Sequence, residues 1–192
     1  IDLLVYPQDS KGTNAVTMIT VDEMFNEQMG VMGTLSSFNQ EIGSGVVTTE
    51  YYTGKCHVIA STNPMTMTLD DIGELYVFTK QPKAQNMPKS LQGEWRWSAV
   101  VASINIVVTE ENKVEIYYQT IDEEGNKKSG MVKGDIHYCQ AAGMGAVVAH
   151  NLEEHPELVQ YIGMNNCGVF QVISATEVYV TFNGIPFTFI KK

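Results

Sequence analysis

Cys167 lies in the stretch NNCGVF, residues 165–170. A cysteine becomes a nucleophile when a neighbouring base takes its proton and a third group orients that base. His137 and His150 lie upstream, and Asp135 sits two residues before His137, an order that suits a cysteine, histidine and aspartate acting together. Thiolate needs an electropositive setting, which this acidic chain barely supplies. An inert cysteine filling space in a strand is the leading reading of Cys167. The same residue types bind metals. His137 and Cys139 are two apart in HYC, so on a strand they share a face and could chelate one ion. KCHV adds Cys56 and His57, of which only one can join them, because neighbours on a strand face opposite ways. The paired Cys-x-x-Cys spacing of structural zinc is absent, and no metal or cofactor is expected.

Two resemblances extend this reading. Cys167-Gly168-Val169-Phe170 resembles the nucleophile motif of the cysteine proteases that process ubiquitin-like modifiers. That family usually has an aspartate before the cysteine, a helix after it and a histidine–tryptophan pair. Here Asn166 precedes Cys167, strand-like alternation follows, and Tyr138 follows His137. The second resemblance is carried by Gly93 and Trp95 in LQGEWRW. A Gly-x-Trp opening a β-meander is similar to the start of lipocalin-like and avidin-like barrels. The resemblance implies that the tryptophan closes one barrel end around an apolar ligand. Trp95 and Trp97 share a face and are the candidate ligand-binding residues; the bland reading makes them plain core.

Composition narrows the function classes. The chain has 192 residues, 44% hydrophobic and 18% charged, enough to fold around a sizeable core. Its net charge is −10 and Arg96 is its single arginine, so the basic stripe that grips phosphates is missing. Nucleic acid is not an expected partner. No run of about 18 apolar residues exists, so no membrane insertion is expected. The first stretch, IDLLVYP, is too short for the apolar core of a signal peptide, and a start at Ile1 is compatible with earlier processing. Three widely spaced cysteines suggest reduced thiols; one bridge with a leftover thiol is the alternative. Glycine-rich phosphate loops, Gly-x-Ser-x-Gly and twelve-residue calcium loops are absent.

These residues must be held by strands. In SAVVASINIVV, Val100, Ala102, Ile104, Ile106 and Val108 alternate onto one face. VEIYYQTI and MVKGDIHYC follow after short polar turns, which serve antiparallel pairs only. EVYVTF and IPFTFI flank Asn183-Gly184, the signature of a type I′ hairpin turn, and Pro186 suggests a sheet edge. In the first half, GVVTTEYY, KCHVIAS, MTMTL and ELYVFT read as strands, with turns at Thr53-Gly54 and Asp70-Asp71. Two helices are expected: one from the capping box TVDE at 20–23 to near Gly30, and one over 155–163 with Pro156 at its start. Residues 1–79 carry net −8 and residues 80–192 net −2, and the run KQPKAQNMPKS, 80–90, stands at the change. It predicts a β-rich subdomain over 1–79, a connector over 80–90 and a β-meander subdomain over 91–192, or one continuous domain.

The expected fold is mainly β, an antiparallel sandwich or barrel-like meander with two short helices. VMGTLSSFNQEIGSG, 31–45, and AAGMGAVVAH, 141–150, are apolar and nearly uncharged, and read either as exposed surfaces wanting a neighbour or as core connectors. The expected function is a non-enzymatic structural or interaction protein with a protein partner or self-association. A lipocalin-like binder of apolar ligands is the alternative, and a cysteine-dependent hydrolase the third reading.

Overall fold

The computed structural model describes residues 2–8, 13–22, 27–39, 41, 43–49, 53–59, 66–71, 74–109 and 112–192. The chain is mainly β and antiparallel. Seven strands form a meander sheet in chain order: β1 (Asp2–Gln8), β2 (Asn14–Asp22), β3 (Glu27–Asn39), β4 (Ser44–Thr49), β5 (Thr53–Ile59), β6 (Thr66–Asp71) and β7 (Glu74–Thr79). Eight more close into an up-and-down barrel: β8 (Gly93–Ser98), β9 (Ala102–Val108), β10 (Lys113–Ile121), β11 (Lys127–Cys139), β12 (Met144–Ala149), β13 (Cys167–Ser174), β14 (Glu177–Phe182) and β15 (Ile185–Lys191). Between β12 and β13 lie a 3-10 turn, Leu152–Glu154, and the single helix α1, Pro156–Ile162.

The barrel follows from period-two patterning. Ala102, Ile104, Ile106 and Val108 of β9 are buried, and the residues between them face outward and are half-buried. Closure uses only two register pairs, Ile190↔Arg96 and Lys191↔Trp95. Glycines make room for rings inside. A Cβ on Gly145 would run into the Phe170 ring across the ladder, one on Gly168 into Phe182, and one on Gly130 into Tyr118. The interior is therefore filled by side chains, and the cavity bounded by Trp95, Ile106, Phe170 and Phe189 measures about 20 Å³. That is the volume of roughly one water.

The sheet uses both faces. One gathers Val16, Leu35, Val47 and Cys56 with Met18, Met67 and Phe78 into a core of its own. The other sets Leu4, Tyr6, Ile19 and Met32 against the outside of the barrel at Val169, Cys139 and Met144. The close approach is made at Gly30, where a Cβ would stand 2.5 Å from Val169 Cγ2 and 3.2 Å from Cys167 Sγ. Asn165 Nδ2 donates to the Gly30 carbonyl across the same seam. Residues 80–92 carry no strand and lie along the barrel: the Ala84 amide donates to Ala141 O, Tyr138 Oη to Pro88 O, and Gln140 Nε2 to Met87 O.

Several local expectations change. The helix expected from Thr20 to Gly30 is absent from the described residues. Thr20–Asp22 and Glu27–Gly30 are paired strand, Thr20↔Met29 and Asp22↔Glu27, while residues 23–26 lie outside the described ones. Cross-strand pairing and burial of Ile19 outweigh a local capping signal that is worth about 1 kcal/mol. Helix α1 does form, ending at Gly163 with φ 76°. Val100 leaves the alternation and is 95% exposed in the bend between β8 and β9. Thr53-Gly54 and Asp70-Asp71 are strand residues, not turns, and residues 50–52 and 72–73 beside them lie outside the described residues. The apolar runs at 31–45 and 141–150 are largely β3, β4 and β12. Asn183 and Gly184 have φ of 45° and 76°, the pair of positive values a type I′ turn needs. Pro186 pairs only with Thr181 of β14, on the length of β15 beyond its two-pair seam with β8, so the strand closes a barrel and is an edge only there.

Candidate functional site

Cys167, His137 and Cys139 all face outward from the barrel into its seam with the sheet. Register places His137 opposite Ala146, and Ala146 opposite Val169; Cys167 stands opposite Val148. A full strand, β12, therefore separates Cys167 from His137. Cys167 is buried at 3% exposure, and burial alone pushes its thiol up to about 12. At neutral pH about one molecule in 10⁵ would carry thiolate. Its backbone amide is held by Asn165 Oδ1 at 3.0 Å. Nothing in the geometry joins Cys167 Sγ to an imidazole.

His137 packs on the Tyr6 ring, centroids 5.3 Å apart. Burial lowers its pKa, while Asp135 pulls the other way. Tyr6 Oη meets Thr17 Oγ1 at 2.8 Å, and burial pushes the Tyr6 phenol well above its usual value. Asp135 is engaged elsewhere, paired with Lys113 and with His150 Nε2 at 2.9 Å. Burial opposes ionisation of Asp135, but the Lys113 ammonium and the His150 ring outweigh it and hold the carboxyl below its ordinary range. The candidate catalytic residues are thus split: Asp135 serves His150, His137 serves Tyr6, and Cys167 is enclosed.

The metal candidates also part. Cys139 lies in the seam with His137, whereas Cys56 is in the sheet's own core; the His57 side chain lies outside the described residues. Among the described residues no three His, Cys, Asp or Glu side chains converge on a cation-sized space. All three cysteines are free thiols. Trp95 is buried, its Nε1 donating to Leu91 O at 2.7 Å and Lys191 Nζ lying 5.2 Å over its ring. Trp97 is half-buried and meets Phe187 edge-on at 5.0 Å. Both tryptophans pack against the barrel core, where the 20 Å³ cavity holds no organic ligand.

Sequence reasoning missed the open edge of the sheet. β1 is guarded: it contains Pro7, has a register shift between Val5 and Gln8, and runs against β11. Among the described residues β7 pairs with β6 on one side only, and its sequence ELYVFT carries neither proline nor lysine. Among the described residues, the sole partner of its outer backbone groups is Gln81 Nε2, which donates to Thr79 O at 3.3 Å. Val77, midway along, is 62% exposed. The signal was present in ELYVFT, but which strand ends a sheet is set by the pairing order. No protein-family model matches the chain, and none of the curated proteins matches it.

Proposed function

We propose that this chain is a non-enzymatic interaction protein, a structural subunit or module of a larger protein assembly, with β7 as the edge to which a partner strand adds. The observation that carries the reading is the unequal treatment of the two edges. β1 has proline, a bulge and the barrel against it, all devices that block strand addition. β7 has none of them, pairs with no second strand among the described residues, and exposes Val77. Strand addition draws affinity from main-chain hydrogen bonds, so an unprotected edge is a binding surface by itself. The barrel, packed solid and tied to the sheet at Gly30 and Asn165, acts as the rigid support.

The two other readings have less behind them. A lipocalin-like carrier needs an interior of ligand size, hundreds of Å³, against the 20 Å³ found. A cysteine hydrolase needs an accessible thiolate beside a base, and Cys167 is enclosed with its thiol raised.

Sedimentation velocity from micromolar to near-millimolar protein tests the proposal, with Val77→Lys as the edge-blocking variant. Lysine at an exposed edge position leaves the folded monomer intact and opposes strand addition. The expected result is a concentration-dependent species of at least twice the monomer mass that Val77→Lys returns to monomer. A monomer at every concentration, with no protein copurifying, would sink the idea.

A further inference from the structure

The outer face of strands β8 to β11 carries a depression of about 510 Å³, on the opposite side of the barrel wall from its packed core. Its floor is set by register. Arg96, Asn105, Tyr117 and Met131 form one row across four strands, and Ser103, Gln119 and Ser129 form the next. Lys192 borders it, held to Glu94 by a side-chain ion pair and a backbone bond of 2.9 Å.

Two features of this floor are unsatisfied by the protein. Arg96, the single arginine of a chain of net charge −10, has no hydrogen-bond or ion-pair partner among the described residues. Asn105 Nδ2 donates to Glu94 Oε1 at 2.8 Å, and a carboxylate can only accept, so the amide orientation is determined. That leaves Asn105 Oδ1 shielded from water with no donor. An enclosed orphan acceptor is costly, and native proteins rarely leave one without a reason.

We propose that this depression binds an acidic saccharide, a uronate-type sugar carrying a carboxylate and vicinal hydroxyls. Each part of the floor matches one part of that ligand. The Arg96 fork takes a carboxylate through two parallel N–H donors. A single free guanidinium suits a monoanion; a phosphate ester would call for more cations than this surface offers, since Glu94 engages Lys192 and Glu115 lies beside Tyr117. Gln119, Ser103 and Ser129 supply mixed donors and acceptors for adjacent hydroxyls. The half-exposed ring of Tyr117 gives a flat apolar surface for the C–H face of a pyranose, with its hydroxyl tethered to Glu115. Arg96 on β8 and Tyr117 on β10 are two strand spacings apart, about 10 Å, which is the span of a disaccharide.

The test is a titration of the intact protein with cellobiouronate (glucuronosyl-β-1,4-glucose, one carboxylate), its neutral counterpart cellobiose, and the peptide carboxylate acetyl-diglycine, read by amide chemical shifts of β8–β11 and by calorimetry. Saturable binding of cellobiouronate is expected, with cellobiose weaker by about tenfold, the worth of one charge-assisted pair. Arg96→Gln should erase that preference with little change in melting temperature, because the exposed Arg96 side chain makes no hydrogen bond or ion pair among the described residues and helps Glu94 only through its charge. Tyr117→Ala should weaken both sugars together. No saturable shift with cellobiouronate at millimolar concentration overturns the proposal. So does binding unchanged in Arg96→Gln, and so does acetyl-diglycine binding as tightly as the sugar acid. None of these results bears on association through β7, so the two proposals fail separately.

Discussion

At Cys167 the decisive quantity is the energy of ionising a buried sulfur. Burial alone raises the thiol to about 12, so native protein should react with iodoacetamide at neutral pH far more slowly than denatured protein. Modification of Cys167 at the rate of a free thiol, read by peptide mass mapping, would show an open seam and revive the nucleophile. His137 adds a pH dependence at the same place. Burial depresses its pKa in the folded state, with Asp135 opposing and Lys113 reinforcing the shift. A depressed folded value means that the unfolded chain binds the proton more readily. Stability is then fully present above the unfolded histidine value, about 6.5, and falls as pH drops from there through the folded value. Replacing His137 with Phe, which keeps the ring against Tyr6, should flatten the change in unfolding free energy between pH 7 and 5. An equally steep slope in the variant would assign the effect to another group.

Among elements, the seam between β3 and β13 turns on one missing side chain. A Cβ at Gly30 would overlap Val169 Cγ2 at 2.5 Å, and neither backbone can withdraw without breaking ladder pairs on both sheets. Gly30→Ala should cost about 1–3 kcal/mol, as overpacking does. Adding Val169→Ala removes the clashing methyl, so the double variant should be more stable than the sum of the two single losses. Additive losses in thermal denaturation would mean that Gly30 is needed for another reason. The seam also explains why the apolar run at 31–45 is not loop. Gly33, Leu35 and their neighbours are consumed by pairing with β4, and apolar side chains go to both faces of the sheet, Leu35 to its own core and Met32 to the seam, so no clean alternation shows.

For the whole molecule, Trp95 measures how solid the barrel is. It is 4% exposed, bonded to Leu91 O and covered by Lys191. Trp95→Ala should destabilise the protein by about 3–5 kcal/mol in chemical denaturation. An apolar fluorescent probe should bind the wild type weakly and without saturation, since a 20 Å³ cavity has no space for it. Saturable micromolar binding lost with Trp95 would instead mark an interior that opens to ligand.

Much of this architecture was legible before any coordinates. The alternation in β9, the Asn183-Gly184 turn, the Pro156 start and Gly163 stop of α1, and the Gly93-x-Trp95 opening are local, and each is written in a few adjacent residues. The antiparallel β class follows from them, because turns this short join only neighbouring antiparallel strands. What adjacent residues do not encode is which strands meet last. Closure of β15 on β8, the open side of β7, the separation of Cys167 from His137 by one strand, and the row joining Arg96 to Asn105 and Tyr117 all depend on pairing between distant segments. The capping signal at 20–23 lost to such pairing for the same reason: a strand's energy lies in its neighbours, and only the tertiary structure says who they are.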